Sequence, residues 1–249
     1  MAMPDALSAY DIYIRLGAFA GVFAVMAIWE LVGPRRMQRI GRAWRWPNNF
    51  GVVLVDTVLV RILFPTTAAG LALVAEDRGI GLLNTVALPA TVAVAVAVVL
   101  LDLAIYLQHV LFHAVPALWR LHRMHHADLE FDVSTGVRFH PIEILLSMVI
   151  KLAVVAALGT PALAVLIFEV LLNATSMFNH GNVRLPEKLD RVLRWIVVTP
   201  EMHRVHHSIA VREANSNFGF NLPWWDRLFG TYRAEPEAGH LGMTIGISQ

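Results

Sequence analysis

Hydrophobic residues fall along this chain in long blocks separated by short polar stretches. Leu16 to Val32 forms the first block, with Glu30 near its end and Gly33-Pro34 after it. Phe50 to Ala75 forms the second, interrupted by Asp56, Arg61 and Pro65, and Val86 to Gln108 the third, with Asp102 near its end. The fourth, Ile142 to Met177, is broken at Gly159-Thr160-Pro161. A bilayer core takes about 20 residues of helix, so the fourth block is too long for one ordinary crossing. It divides into two short helices that form a hairpin, with Gly and Pro at the bend. The pattern predicts apolar segments at 16–32, 50–75, 86–108, 142–158 and 161–177. The polar stretches 109–141 and 178–249 are left to form a cap on one domain spanning 1–249. The expected fold is all-α, an integral membrane helical bundle. Its first segment follows Asp5 and Asp11 rather than a basic region, which fits an uncleaved anchor better than a signal peptide.

Charge orients these segments. Arg35, Arg36, Arg39, Arg42 and Arg45 follow the first block with no acid among them, whereas the next loop holds Glu76, Asp77 and Arg78. The positive-inside bias places 35–45 in the cytosol, so the third segment delivers His109 to the cytosolic side. The hairpin then goes out and comes back, and the cap is cytosolic. The location implied is the inner membrane of a bacterium or the endoplasmic reticulum of a eukaryote. The composition agrees: 57% hydrophobic, 16% charged, with mean hydropathy +0.57, where soluble domains run nearer a quarter charged. A net charge of +1 gives no reason to expect nucleic acid as a partner. With no cysteine there is no disulfide, no Cys-ligated iron–sulfur cluster and no thiolate nucleophile.

Eight of the eleven histidines lie in three clusters, His109-x-x-x-His113, His122-x-x-His125-His126 and His203-x-x-His206-His207. Residues three and four apart share a helix face, so each cluster directs two or three imidazoles to one point. A zinc ion takes about three or four protein ligands, so eight imidazoles suit a dinuclear metal centre. His180 follows the returning hairpin and is a ninth candidate. His140, which opens the hairpin, suits a supporting or helix-start role, and His240 in the polar tail reads as solvated. Asp102, Tyr106, His109 and His113 form one stripe on the third segment, spaced by four, three and four residues. An aspartate in a membrane helix has a partner or a function. Asp102 or Tyr106 is read either as supporting the site from the membrane side or as a contact between helices, for instance with Arg61. Trp224 and Trp225 suit either the headgroup level or packing within the cap.

The three clusters together resemble the fatty acid hydroxylase and sterol desaturase superfamily of membrane di-iron oxygenases. Arg138-Phe139-His140-Pro141 is similar to that family's arginine-containing HP element. Asn217-Phe218-Gly219 and Trp225-Asp226-Arg227-Leu228-Phe229-Gly230-Thr231-Tyr232 resemble its C-terminal signature. The resemblance covers roughly Val86 to Tyr232. It implies metal ligation by His109, His113, His122, His125, His126, His203, His206 and His207, and favours His180. Where some relatives carry a second histidine four residues later, this chain has Arg184. It also implies two iron ions, replaceable by zinc as purified, with O2 as co-substrate. The implied reaction is hydroxylation or desaturation of an unactivated C–H bond in a fatty acyl, sterol or other isoprenoid lipid.

Asp128, Glu130, Asp132, Glu201 and Asp226 are candidates to accept N–H bonds from the ligands and offset the metal charge, with a turn contact as the other reading of Asp226. No dinucleotide-binding motif, Cys cluster or haem module is visible, so electrons come from a separate reductase or small carrier. On the residues alone two other classes stay open. One is a membrane-embedded zinc hydrolase, although HExxH is absent. The other is a non-catalytic metal-binding membrane protein.

Overall fold

The computed structural model of the protein describes residues 3–247, and side chains from Tyr10 onward, so the Asp5 side chain and the last two residues lie outside the described part. Helices follow in the order α1 (Met3–Val32), α2 (Arg42–Leu63), α3 (Ala68–Asp77), α4 (Leu82–Thr85), α5 (Ala90–Ala114) and α6 (Pro116–His126). Next come α7 (Pro141–Leu158), α8 (Ala162–Asn179), α9 (Glu187–Leu193) and α10 (Pro200–His206). Short turns α11 (Val211–Ala214), α12 (Trp224–Leu228) and α13 (Gly239–Gly242) complete the chain. No β-strand occurs among the described residues, only isolated bridges such as Pro34 to Val183. Five helical stretches are long and apolar enough to cross a membrane: Tyr10–Val32, Arg42–Thr85, Ala90–Ala114, Pro141–Leu158 and Ala162–Asn179. The protein is thus an all-helical, multi-pass bundle.

The second stretch is not one helix. Thr67 starts α3 by accepting from the Gly70 amide (3.0 Å), after a break at Phe64 to Thr67. Alanines then let α3 approach its neighbours closely. Ala68 and Ala72 bury against Leu101 of α5, Val155 of α7, and Val165 and Phe168 of α8. The hairpin bends where Gly and Pro demanded it. Gly159 caps α7 in the left-handed region at φ +64, and α8 starts directly after Pro161. The bend rests on the turn at Gly81 (φ +96): a Cβ on Gly81 would strike the Gly159 backbone, and one on Gly159 the Ile80 carbonyl. Eighteen residues of α7 separate this end of the bundle from His140, roughly 27 Å at 1.5 Å per residue. The hairpin therefore goes out and returns, bringing His180 back to the level of His140.

Polar groups inside the bundle are paired. Arg15 of α1 and Lys151 of α7 both reach Glu169 of α8, Lys151 at 2.6 Å. This ties three helices together inside stretches that read as simply apolar in sequence. Asp102 contacts neither Arg61 nor a histidine. It accepts from Trp225 Nε1 (2.8 Å) and from the Asn221 and Leu222 amides (3.3 and 3.2 Å), fastening the C-terminal loop to α5. Trp224, half exposed, donates to the Trp195 carbonyl.

The arginine loop after α1 is similarly welded to the cap. Arg45 pairs with Asp128 (2.6 Å) and Asp132 (2.5 Å), Arg35 with Glu201 (2.7 Å), and Glu130 accepts from the Arg39 and Ile40 amides. Asp128, Glu130, Asp132 and Glu201 are therefore not hydrogen-bonded to the clustered histidines, contrary to the sequence expectation. A guanidinium is always charged and presents a fork that fits a carboxylate, so it outcompetes a neutral imidazole for Asp128, Asp132 and Glu201.

Candidate metal centre

The histidines converge because four helices end at one place. His109 and His113 ride on the last two turns of α5, and His122, His125 and His126 close α6. His180 is the residue after α8, and His203, His206 and His207 close α10. Pro116 and Thr199-Pro200 start α6 and α10 one or two turns earlier, which sets where each cluster falls. A helix C-terminus carries roughly half a negative charge. The ends of α6, α8 and α10 fall within the clusters and favour a cation there, whereas the end of α5 abuts the start of α6.

The nine imidazoles form two groups, His109, His113, His122, His126 and His206, and His125, His180, His203 and His207, with nitrogens within 4.8 Å of one another in each. Ligands on opposite sides of one ion with bonds of about 2.1 Å stand about 4.2 Å apart. Each HxxHH is shared between the groups rather than aimed at one point, as the sequence reading had it. The i and i+4 residues stay together, His122 with His126 and His203 with His207, while the adjacent residue turns about 100° away into the other group.

Hydrogen bonds set the tautomers. His109 Nδ1 faces the Phe218 carbonyl (2.8 Å), His125 Nδ1 that of Arg138 (3.0 Å), His180 Nδ1 that of Ser176 (2.7 Å) and His206 Nδ1 that of Ser216 (2.8 Å). His122 Nδ1 faces Glu143 Oε1 at 2.7 Å. A carbonyl or carboxylate only accepts, so these five rings carry their proton on Nδ1 and turn an Nε2 lone pair inward. His180 Nε2 then lies 3.0 to 3.2 Å from Nε2 of His125, His203 and His207, and His109 Nε2 lies 3.1 Å from His122 Nε2. In the His125–His180 and His109–His122 pairs both nitrogens are lone pairs, which do not bond one another. His113 Nε2, His206 Nε2 and both nitrogens of His126 are buried with no partner. Unpartnered buried acceptors cost free energy, and a cation in each group removes that cost. The donor set therefore fits a pair of metal ions.

Burial, and next the neighbouring imidazoles, hold His125, His126, His203, His206 and His207 well below the usual histidine range. His180 is pushed down to about 3, chiefly by burial. All six are neutral near pH 7, the form that donates a lone pair. Phe139 stacks on His125 with ring centroids 4.4 Å apart, and Phe218 and Phe220 stand against His109 at 5.4 Å. These rings wall the site with apolar surface.

Of the two roles expected for His140, the structure shows the helix-start one. His140 caps α7, its Nδ1 accepting from the Ile142 amide (3.1 Å), and no imidazole bonds it. Tyr106 bonds Thr231 Oγ1 (2.9 Å), which donates to Asp226 Oδ1 (2.7 Å). Asp226 in turn accepts from the Phe218 and Gly219 amides (2.7 and 2.9 Å). Tyr106 and Asp226 thus fix the loop whose Phe218 carbonyl orients His109, one peptide removed from the ring. His240 is buried, not solvated, with Nε2 3.1 Å from Glu201 and 2.9 Å from Glu235. Glu143 is the carboxylate that sequence reasoning missed. The available signal was an acid in the first turn of α7, three residues after His140.

Apolar helices that gather nine histidines at their ends define a class: multi-pass membrane proteins with a paired histidine site. A sequence model described as fatty acid hydroxylase matches residues 94–231, more than half of the chain and including all nine histidines. The protein belongs to the fatty acid hydroxylase family. Among its relatives is an ornithine lipid hydroxylase of Rhizobium tropici, 31% identical over 163 residues, covering 65% of this chain and 48% of that one. An alkylglycerol monooxygenase of Xenopus tropicalis is 28% identical over 152 residues, covering 59% and 32%. A cholesterol 25-hydroxylase of Rattus norvegicus is 28% identical over 152 residues, covering 59% and 49%. The chain thus spans about a third to a half of the length of these relatives. No solved structure matches it.

Proposed function

We propose that the protein is a membrane di-iron oxygenase that hydroxylates an unactivated C–H bond of a lipid. The observation that carries this reading is the pair of imidazole groups, in which five rings held by Nδ1 partners turn their Nε2 lone pairs inward. The relatives' names, hydroxylase and monooxygenase acting on lipids, favour hydroxylation over desaturation. Two iron ions held by the nine histidines would supply O2-activating redox chemistry. Overall, one atom of O2 enters the C–H bond and the other leaves as water, using two electrons and two protons. The chain has no cysteine for an iron–sulfur centre, so a separate one-electron carrier or reductase delivers the electrons. Its own residues hold nine imidazoles, fix the tautomers of five of them through Glu143 and four carbonyls, and exclude water with Phe139, Phe218 and Phe220.

The test is iron reconstitution followed by a single turnover on supplied lipid under isotopically labelled O2. Label is expected in the product hydroxyl. A new double bond without label would replace hydroxylation by desaturation. Full turnover with zinc and product oxygen drawn from water would overturn the oxygenase reading.

The membrane orientation proposed with it places the arginine loop, the histidines and the C-terminal region in the cytosol. The chain lacks cysteine, so Met37→Cys, Ile80→Cys and Leu241→Cys, all at exposed positions, can be probed with impermeant thiol reagents in intact cells and inside-out vesicles. Positions 37 and 241 are expected to react only in inside-out vesicles and position 80 only in intact cells. Labelling of 37 and 241 from opposite sides would refute the arrangement.

A further inference from the structure

The two histidine groups differ in access. His125, His180, His203 and His207 are each 0% exposed. The five-histidine group instead borders a cavity of about 230 Å³ whose wall contains His113 and His126. Trp119, Arg123, Ile209 and Asn215 line the same cavity. Arg123 precedes His126 by three residues on α6, so the two share a face. Its guanidinium is exposed, and among the described residues no carboxylate lies within ion-pair distance of it. This contrasts with Arg35, Arg42 and Arg45, each bound to an acid. The cavity therefore has an unpaired cation at its wall, imidazoles at its inner side, and Trp119 and Ile209 as apolar lining.

We infer that this cavity receives the head end of a single-chain or two-chain lipid. Arg123 pairs with an oxyanion of the head, Trp119 and Ile209 cover the first methylenes, and the carbon presented to the five-histidine group lies near the head rather than deep in the chain. This assignment rests on the hydroxylase reading for its chemistry, but binding at the cavity is separately measurable. A fatty acid carboxylate and a phospholipid phosphate both supply such an oxyanion, with shared charge and acceptor chemistry.

The experiment introduces Ala214→Cys, in the cavity wall, into the full cysteine-free chain in a neutral detergent. Its alkylation rate is measured with dodecanoate, dodecyl phosphate or dodecanol added. Either anion is expected to slow alkylation about tenfold more than dodecanol does at equal concentration, a factor matching one charge-assisted contact. The stronger of the two anions identifies carboxylate or phosphate. Arg123→Gln is expected to erase the difference, Arg123→Lys to keep part of it, and Arg120→Gln, an exposed neighbour outside the cavity wall, to leave it intact. Equal protection by dodecanol, or full protection retained in Arg123→Gln, overturns the assignment. Arg123-dependent protection without any lipid oxidation under labelled O2 would leave the cavity standing and remove the hydroxylase reading. Oxidation that proceeds while Arg123→Gln binds and turns over normally would remove the cavity assignment alone.

Discussion

Replacing any one of the nine clustered histidines with alanine is expected to abolish lipid oxidation, and metal content should fall unequally. The group of His125, His180, His203 and His207 has four imidazoles, so one substitution leaves three. The group of His109, His113, His122, His126 and His206 has five, so one substitution leaves four, still a full tetrahedral set. Substitutions at His125, His180, His203 or His207 should therefore strip one of two ions during purification. Substitutions at His113 or His206 should retain more metal while losing turnover. His240→Ala should keep both ions and turnover, because its ring lies between Glu201 and Glu235 and outside both groups. Metal analysis beside a turnover assay checks this. Near-normal activity in two or more of the nine variants would show that they do not form one centre.

The unequal groups show where sequence reading stops. Spacing of three and four residues made the clusters visible, since those residues share a helix face. It did not show that adjacent histidines such as His125 and His126 part into different groups, because that depends on where α6 sits between α5 and α10. The hairpin was legible at Gly159-Thr160-Pro161, since a left-handed residue and a proline leave few alternatives to a bend. The carboxylates were not legible. Asp128, Asp132 and Glu201 lie within six residues of a cluster, yet arginines from a distant loop claim them. Nearness in sequence carries no information about such long-range competition. The carbonyls of Arg138, Ser176, Ser216 and Phe218 were invisible for another reason. Every residue has a carbonyl, and only the folded backbone decides which ones face an imidazole.

The charge balance of the centre follows from the same helix ends. An all-imidazole set leaves a metal pair's positive charge uncompensated, and sequence pointed to a ring of acids as the remedy. The structure supplies instead the C-termini of α6, α8 and α10, which fall within the clusters, and one carboxylate, Glu143. Partial charges of helix ends are fixed by the backbone and need no side chain, so substitution of the cap acids should disturb folding of the arginine loop more than metal binding.

That places unusual weight on Glu143, whose loss is the second large effect expected. Its Oε1 accepts from His122 Nδ1 at 2.7 Å, and it is nearly fully buried. Without an acceptor there, the His122 proton is free to move to Nε2, which closes the lone pair turned toward His109. The buried Nδ1 also loses its partner. Loss of such an outer partner to a ligand typically lowers metal affinity or activity by about 10–100-fold, and Glu143→Ala is expected within that range. Glu143→Gln keeps the volume and a carbonyl oxygen that can still accept the proton, so it should recover part of the affinity but not the negative charge. Metal titration of both variants, with circular dichroism to confirm retained helix, separates this from simple unfolding. A Glu143→Ala protein that binds metal and turns over like the unmodified chain would show that the backbone carbonyls alone hold the tautomers, and that His122 needs no carboxylate.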